Sequence, residues 1–286
     1  MRDMPIYPSF HPATVRQGLN FEERAELAGD AGFRATALDV SGALEYDRAH
    51  GPGKAAALLR SRSLEPGGWG AGVGIFSSEE DFERGLSRLD GHARFASELG
   101  ATKCMAFVPN RSDRPMDETL KLVAGRIRAI CEVLARHGAA LAIEFCGPNL
   151  FLERPHGFIT GVDGAMRMAM ASGAGNVGVL VDSFHLFCAA GLPEDIPRHA
   201  QGRVYGAHIN DSPSDEITRL KDPDRVMPGD GVIPLADFIK GLHAAGYKGP
   251  MEVELFNEAI RKRDPLEVAK EARTKTERIL EAAFSG

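Results

Sequence analysis

The sequence predicts an α/β chain folded as a (β/α)8 barrel of the TIM type, a single domain over residues 1–286. Three observations carry that reading. Short apolar runs alternate with helix-like stretches eight times along the chain. Several of the runs are almost unbroken in their apolar character, as strands buried on both faces require. The length of 286 residues suits one barrel, which commonly takes about 250. A doubly wound open sheet is the alternative. No GxGxxG follows the first strand, however, and no GxxxxGK[ST] occurs. No repeat, low-complexity tract or linker marks a second domain.

The elements follow in order. MPIYPSF (Met4–Phe10) reads as the first strand, and the helix-like Phe21–Ala31 stops at Gly32. The second strand is placed at Phe33–Val40 and a second helix at Gly53–Arg62. The third strand falls within Leu64–Ile75, whose paired glycines near Gly67 and Gly72 read as loop flexibility rather than a phosphate cradle. Ser78–Leu99 is a long amphipathic helix with Ser78 as N-cap and Gly100 past its end. Strand four is Lys103–Pro109, followed by a helix over Asp117–His137 that Gly138 stops. Strand five is Ala140–Phe145, with a helix over Gly161–Ser172. Strand six is Asn176–Asp182, with a short helix at Pro193–Ala200. Strand seven, Arg203–Asn210, leads into a polar loop from Asp211 to Gly231 and a helix over Pro234–Ala245. Strand eight is Pro250–Phe256, and Pro265–Phe284 is helical.

Bulk properties exclude several functions. The net charge is −6 with no basic run, which disfavours nucleic acid as a partner. No stretch approaches the ~20 apolar residues of a membrane span, and the N-terminus lacks a signal core. Cys104, Cys131, Cys146 and Cys188 are scattered without a CxxC pair, so they read as reduced, buried thiols in a cytoplasmic protein. A homo-oligomer is compatible with the sequence, which is silent on the point.

Chemistry gathers at strand tips. VLVDSFHLF (Val179–Phe187) is an apolar run ending in Asp182, with His185 three residues on. Reactive groups in α/β barrels sit at the C-terminal ends of strands, although a carboxylate there also caps turns. Alternation along the strands places Glu144, Asp182, His208 and Glu254 each near a strand end, on a face directed into the barrel mouth. Three carboxylates meeting one imidazole repel one another unless a cation joins them. Three hard oxygens and one nitrogen favour one divalent metal ion, Mn²⁺, Mg²⁺ or Co²⁺, with Zn²⁺ also compatible. Glu252 shares the face of Glu254 one layer deeper, as a supporting group, a partner for an interior Lys or Arg, or a ligand in place of Glu254. His11 and Trp69 lie near strand tips as candidate substrate contacts, and Asp39 either looks into the mouth or caps.

At these residues the chain resembles the xylose-isomerase-like TIM-barrel superfamily of sugar isomerases and epimerases, and within it the isomerases of 2-keto-myo-inositol (inosose). The resemblance rests on IEF at Glu144, VDSFH at Asp182 and His185, and AHIND at His208. It continues through DPDRVMPGDGVIPL around Arg225 and VELFNE at Glu254, and spans Ala139–Thr274. It implies that Glu144, Asp182, His208 and Glu254 are metal ligands and that His185 and Arg225 bind substrate. The implied activity is divalent-metal-dependent isomerisation or epimerisation of a keto-sugar or keto-cyclitol, as in inositol catabolism. Glu144 and Glu254 would be the catalytic acid–base pair, moving a proton through a cis-enediolate. The substrate is then a small-molecule carbohydrate. A lyase on the same scaffold, 3-dehydroshikimate dehydratase-like or eliminating from a 3-keto glycoside, is the rival reading. A repair endonuclease would need more metal ligands and a basic groove, and a non-enzymatic barrel would not need four intact tips.

Overall fold

The computed structural model of the chain describes residues 4–147 and 150–285. Strand β1 (Ile6–Phe10) leads into α1 (Phe21–Asp30). Strand β2 (Ala35–Thr36) is followed by two helices, α2 (Val40–His50) and α3 (Lys54–Ser61). The third barrel strand comes in two pieces, β3 (Glu65–Pro66) and β4 (Trp69–Gly70), ahead of α4 (Glu79–Glu98). Next come β5 (Lys103–Val108), the short β6 (Arg111–Ser112) and α5 (Met116–Ala135). Strand β7 (Ala140–Phe145), the short β8 (His156–Gly157) and α6 (Gly161–Ser172) follow. Strand β9 (Val177–Asp182) runs straight into α7 (Ser183–Cys188), with α8 (Asp195–Ala200) beyond. Then come β10 (Val204–Ile209), α9 (Leu235–Ala244), β11 (Gly249–Val253), α10 (Glu258–Arg261) and α11 (Pro265–Phe284).

Nine parallel strands form one sheet in the order β3-β2-β1-β11-β10-β9-β7-β5-β4. Its two edges are halves of a single segment, with β3 paired to β2 and β4 paired to β5. Gly67 and Gly68 join the halves: Gly67 N–H donates to Thr36 O (2.7 Å) and Leu38 N–H to Gly68 O (2.9 Å). The sheet therefore closes on itself as the TIM barrel that the eightfold alternation predicts. These glycines serve close approach rather than the loop flexibility read from the sequence. A Cβ on Gly67 would lie 2.8 Å from Glu252 Oε1 and 3.0 Å from Thr36 O.

Local chemistry sets the helix starts. Asn20 and Glu23 form a capping box on α1, and Ser78 accepts from Asp81 N–H (3.1 Å) at the start of α4, as its sequence position predicts. The second strand is much shorter than the expected Phe33–Val40. The Asp39 carboxylate accepts Gly42 N–H (3.0 Å) and so turns Val40 into a helix that the sequence reading missed. Asp182 acts the same way at β9, accepting His185 N–H (2.9 Å) and starting α7, a helix that the sequence reading did not assign.

The outward faces make the core. Leu141, Ile143 and Phe145 of β7 are fully buried, in one apolar cluster with Ile127, Ile130 and Leu134 of α5. The inward faces are thinner, with Ala142, Gly178 and Gly206 below the mouth. Above the mouth, β6 and β8 pair antiparallel and strap the loop after β5 to the loop after β7. All four cysteines are free and buried. Among the described residues no helix is long and apolar enough to cross a membrane.

Candidate metal centre and active-site cavity

Register decides which side chains meet, because partnered residues on parallel strands share a face. Glu144 on β7 partners Leu180 on β9, Asp182 partners His208 on β10, and His208 partners Glu252 on β11. Glu254 stands one layer above Glu252. The structure brings Glu144, Asp182, His208 and Glu254 together, with one ligand atom from each within 4.8 Å of the others.

His208 is the centre of the group. Its Nδ1 lies 3.3 Å from Glu144 Oε1, 3.3 Å from Glu254 Oε2 and 3.9 Å from Asp182 Oδ2. Nδ1 and Glu144 Oε1 are both buried without a hydrogen-bond partner. A nitrogen and an oxygen left orphaned among three carboxylates are the donors a hard divalent cation takes, so the residues present fit such an ion. The other ring nitrogen, Nε2, faces Glu252 Oε2 at 3.4 Å, while Glu252 Oε1 accepts Gly68 N–H (2.9 Å). A carboxylate behind the ring orients a metal-binding histidine and frees its opposite nitrogen for the ion. Among the described residues Glu252 has no Lys or Arg partner of the kind the sequence allowed.

The electrostatics are those of a cation site balanced by protein charges. Burial opposes a charge on His208, but Glu254, Glu144 and Glu252 outweigh it and hold its pKa well above the usual histidine value. Burial likewise opposes ionisation of Glu254, yet His208, His11 and Arg225 keep its carboxyl well below the ordinary range. Asp182 is also depressed, its burial outweighed by Arg225, His185 and His208.

Arg225 is fully buried and ties the site to the loop after β10. Its Nη1 donates to Asp182 Oδ2 (2.9 Å) and Glu254 Oε2 (3.0 Å), and its Nη2 to Asp222 Oδ1 (2.8 Å). Its guanidinium sits 5.1 Å from the ring centres of Phe184 and Phe256. His185 Nδ1 accepts Gly147 N–H (3.0 Å), and its Nε2 lies 3.1 Å from Arg225 Nη2. The loop owes its shape to Asp211, whose buried carboxylate accepts the N–H groups of Ser212, Gly229, Gly231 and Ile233 at 2.8–3.0 Å.

A cavity of about 630 Å³ opens on this cluster. His11, Glu144, His208 and Glu254 line one part of it, and Phe76, Phe107, Phe151 and Arg154 another. His11 Nε2 is 3.6 Å from Glu254 Oε1. Phe107 and Phe151 lie parallel within 4° at 6.3 Å between ring centres. Asp182, His185 and Arg225 are 0%, 5% and 0% exposed and stand behind this wall. The two residues expected to touch substrate, His185 and Arg225, therefore brace the carboxylates from behind in this structure.

Other sequence candidates divide. His11 reaches the cavity. Trp69 does not: it is buried, and its indole N–H donates to Ala101 O (3.0 Å) in the core. Asp39 is a cap that also binds Arg24 Nη1 (2.9 Å), so it does not look into the mouth. The sequence reading missed Asn210, which donates to Asp182 Oδ2 (2.7 Å), and Asp211. Both sit in AHIND directly after a strand tip, a signal that was open to use. It also missed the aromatic wall and Arg154, which come from the loop after β4, the end of β5 and the loop between β7 and β8 and share no spacing.

Comparison with known proteins agrees with this architecture. The family described as Xylose isomerase-like TIM barrel matches residues 25–279. Inosose isomerase of Bacillus velezensis is 26% identical over 280 residues, 96% of this chain and 97% of its own. The 3-dehydroshikimate dehydratase of Pseudomonas aeruginosa is 25% identical over 259 residues, 87% of this chain but 38% of the longer dehydratase. Among solved structures, the IolI protein with a bound zinc atom matches with a TM-score of 0.83 and 22% identity, over 99% of this chain and 100% of that one. With the family match running through nearly all its strands and helices, the chain belongs to the xylose isomerase-like TIM-barrel family.

Proposed function

We propose that the chain is a divalent-metal-dependent isomerase or epimerase of a keto-sugar or keto-cyclitol, an inosose-like ring ketone included. The proton beside the carbonyl would move through a cis-enediolate. The observation that carries this is the pairing of orphaned His208 Nδ1 with orphaned Glu144 Oε1 beside Glu254 and Asp182, facing a cavity of about 630 Å³. Glu144, Asp182, His208 and Glu254 would hold the ion. The oxygen-rich set favours Mn²⁺, with Mg²⁺ and Co²⁺ close behind, and the zinc of the IolI neighbour supports Zn²⁺ as the alternative. When bound, such an ion polarises the substrate carbonyl and makes the adjacent proton easier to remove.

The chain's own residues do the rest. Glu144 and Glu254 reach the cavity from β7 and β11, on either side of the strand that carries His208. One takes the proton from carbon, and the same or the opposing carboxylate returns it to the neighbouring carbon or the other face. Arg225 donates to Glu254 Oε2 and favours its ionised form, so Glu254 enters the reaction able to accept a proton. Positioned groups of this kind contribute about 10²–10⁴-fold. Arg225 supplies fixed positive charge behind the site as oxygen charge develops, with His185 Nε2 beside its Nη2. The aromatic wall keeps water from the reacting carbon.

Proton–deuterium exchange tests this. Metal-loaded protein in D₂O is mixed with a panel of ketoses, inososes and 3-keto sugars, and the products are followed by NMR. Metal-dependent exchange beside a carbonyl, with a rearranged ketone as product, is the expected result. No exchange across the panel with metal bound would overturn the proposal. The dehydratase relative supports a second reading, in which the same proton abstraction is followed by loss of a β-hydroxyl. Products one water lighter would decide for it.

A further inference from the structure

We propose that the substrate carries a carboxylate, held at the cavity rim by Arg154. This rests on the reading above for the ketone at the cavity floor and adds what the far end of the molecule must be.

Arg154 lines the same cavity as Glu144, His208 and Glu254. Its guanidinium lies between two rings, 5.1 Å from the centre of Phe151 and 5.5 Å from that of Phe76. Both rings are close enough to attract its charge through their faces. Its hydrogen-bonding capacity is largely unspent. Nη1 donates to Arg111 O at a long 3.4 Å, and among the described residues Nη2 has no hydrogen bond. The nearest acids, Asp113 Oδ2 at 3.8 Å and Glu153 Oε1 at 4.0 Å, are 75% and 72% exposed, so water screens them.

A second positive charge adds to the first. Arg111 spends its guanidinium on the backbone, donating to Arg154 O (2.6 Å) and Pro155 O (3.0 Å). No ion pair offsets its charge among the described residues. Two guanidinium groups thus stand on the β6–β8 ribbon with only exposed acids beside them. The ribbon itself, paired through Arg111–Gly157 and Ser112–His156, sets their position over the mouth.

The floor and rim have opposite signs. Three carboxylates crowd the floor and would already offset the charge of a bound ion, so an anionic substituent gains least there. It can point at Arg154, whose planar fork matches two carboxylate oxygens. The cavity has room for a six-membered ring between the two. Arg111 has spent its donors on the backbone, so Arg154 offers one free fork, which suits the two oxygens and single charge of a carboxylate. A phosphate shares the oxyanion chemistry but brings nearly two charges.

Calorimetry on the metal-loaded full chain tests the assignment. The probes are quinate, a polyhydroxycyclohexane carboxylate, its neutral counterpart myo-inositol, and fructose 6-phosphate. Quinate is expected to bind at least about tenfold tighter than either of the others. Arg154→Gln should weaken quinate about 10–100-fold, the size of a lost charge-assisted hydrogen-bond pair, with Arg154→Lys recovering part of it. Equal binding of quinate and myo-inositol, no quinate binding, or no response to Arg154→Gln overturns the carboxylate. Tighter binding of the sugar phosphate does so too. The exchange assay separates the two proposals. Exchange on neutral inosose without any advantage for a carboxylated ring ketone leaves the reaction standing and sinks this inference. Quinate binding through Arg154 with no exchange on any ketone leaves the anion site and sinks the reaction.

Discussion

Arg225→Met separates charge balance from ligand geometry at the metal centre. The side chain is 0% exposed, and its Nη1 bonds both Asp182 Oδ2 and Glu254 Oε2. Met keeps most of the stem and its packing against Phe184 and Phe256 while removing the charge. In metal-free protein this leaves two buried carboxylates with His208 as their remaining close positive partner. Breaking a buried pair from one side costs about 3–5 kcal/mol. The third bond, to the partly exposed Asp222, adds less than about 1 kcal/mol. Against a domain stability of about 5–15 kcal/mol the loss should be plain in urea unfolding with chelator present. A divalent ion returns two positive charges to the same oxygens, so the loaded variant should lose less. If it loses about 2 kcal/mol less, the thermodynamic cycle requires metal to bind about 30-fold tighter in the variant. Titration of Mn²⁺ by calorimetry measures that directly, and turnover should fall with the metal retained. Metal binding weakened tenfold or more would refute the reasoning, because Arg225 would then be holding the ligands in place. So would a chelated variant less than about 1 kcal/mol below wild type.

Other outcomes follow from the same geometry. Glu252→Gln keeps an acceptor for Gly68 N–H but removes the charge facing His208 Nε2. Metal affinity by calorimetry should fall about 10–100-fold with the fold unchanged. Glu254→Gln, assayed at saturating metal, should lower turnover by at least about 100-fold, and near-normal turnover would remove it from the acid–base pair. Asp211→Ala strands four backbone N–H groups, each costing up to about 1–3 kcal/mol. Urea unfolding should show a loss of about 3 kcal/mol or more, and hydrogen exchange should rise across residues 211–233. Burial pushes the thiols of Cys131 and Cys188 up to about 12 and holds those of Cys104 and Cys146 well above the ordinary thiol value. Alkylation at pH 8 should therefore be far slower than for a free thiol, until denaturant exposes all four.

The parts of this protein that sequence reveals are those in which a local rule and the global fold agree. Strand β7 lies over Ala140–Phe145, where its apolar run places it, because a strand buried on both faces has few other ways to satisfy its pattern. The failures occur where a side chain redirects the backbone. Phe33–Val40 looks like a strand by composition, but the Asp39 carboxylate captures Gly42 N–H and makes Val40 helical. SFHLFC has strand-like residues too, yet Asp182 caps it into α7. Helix caps compete locally with apolar pattern, and a strand-end aspartate can serve both the cap and the site.

The same logic divides the cavity. Glu144, Asp182, His208 and Glu254 meet because alternation and register are fixed along strands, so their convergence was readable from spacing alone. Phe151 and Arg154 reach Phe76 and Phe107 from the loop that the β6–β8 pairing holds, and four ladder residues in two short runs leave no periodic trace. Arg225 falls between these cases: its loop position is visible, but its burial depends on Asp211 gathering N–H groups up to 22 residues away. The groups proposed to abstract and return a proton are therefore built into the barrel's most constrained elements. Those proposed to choose the ketone hang mostly on its least constrained ones. The two sets can change independently, which is why one scaffold can serve relatives described as an isomerase and a dehydratase. On this proposal the choice of substrate is made beside the β6–β8 ribbon rather than at the proposed metal ligands.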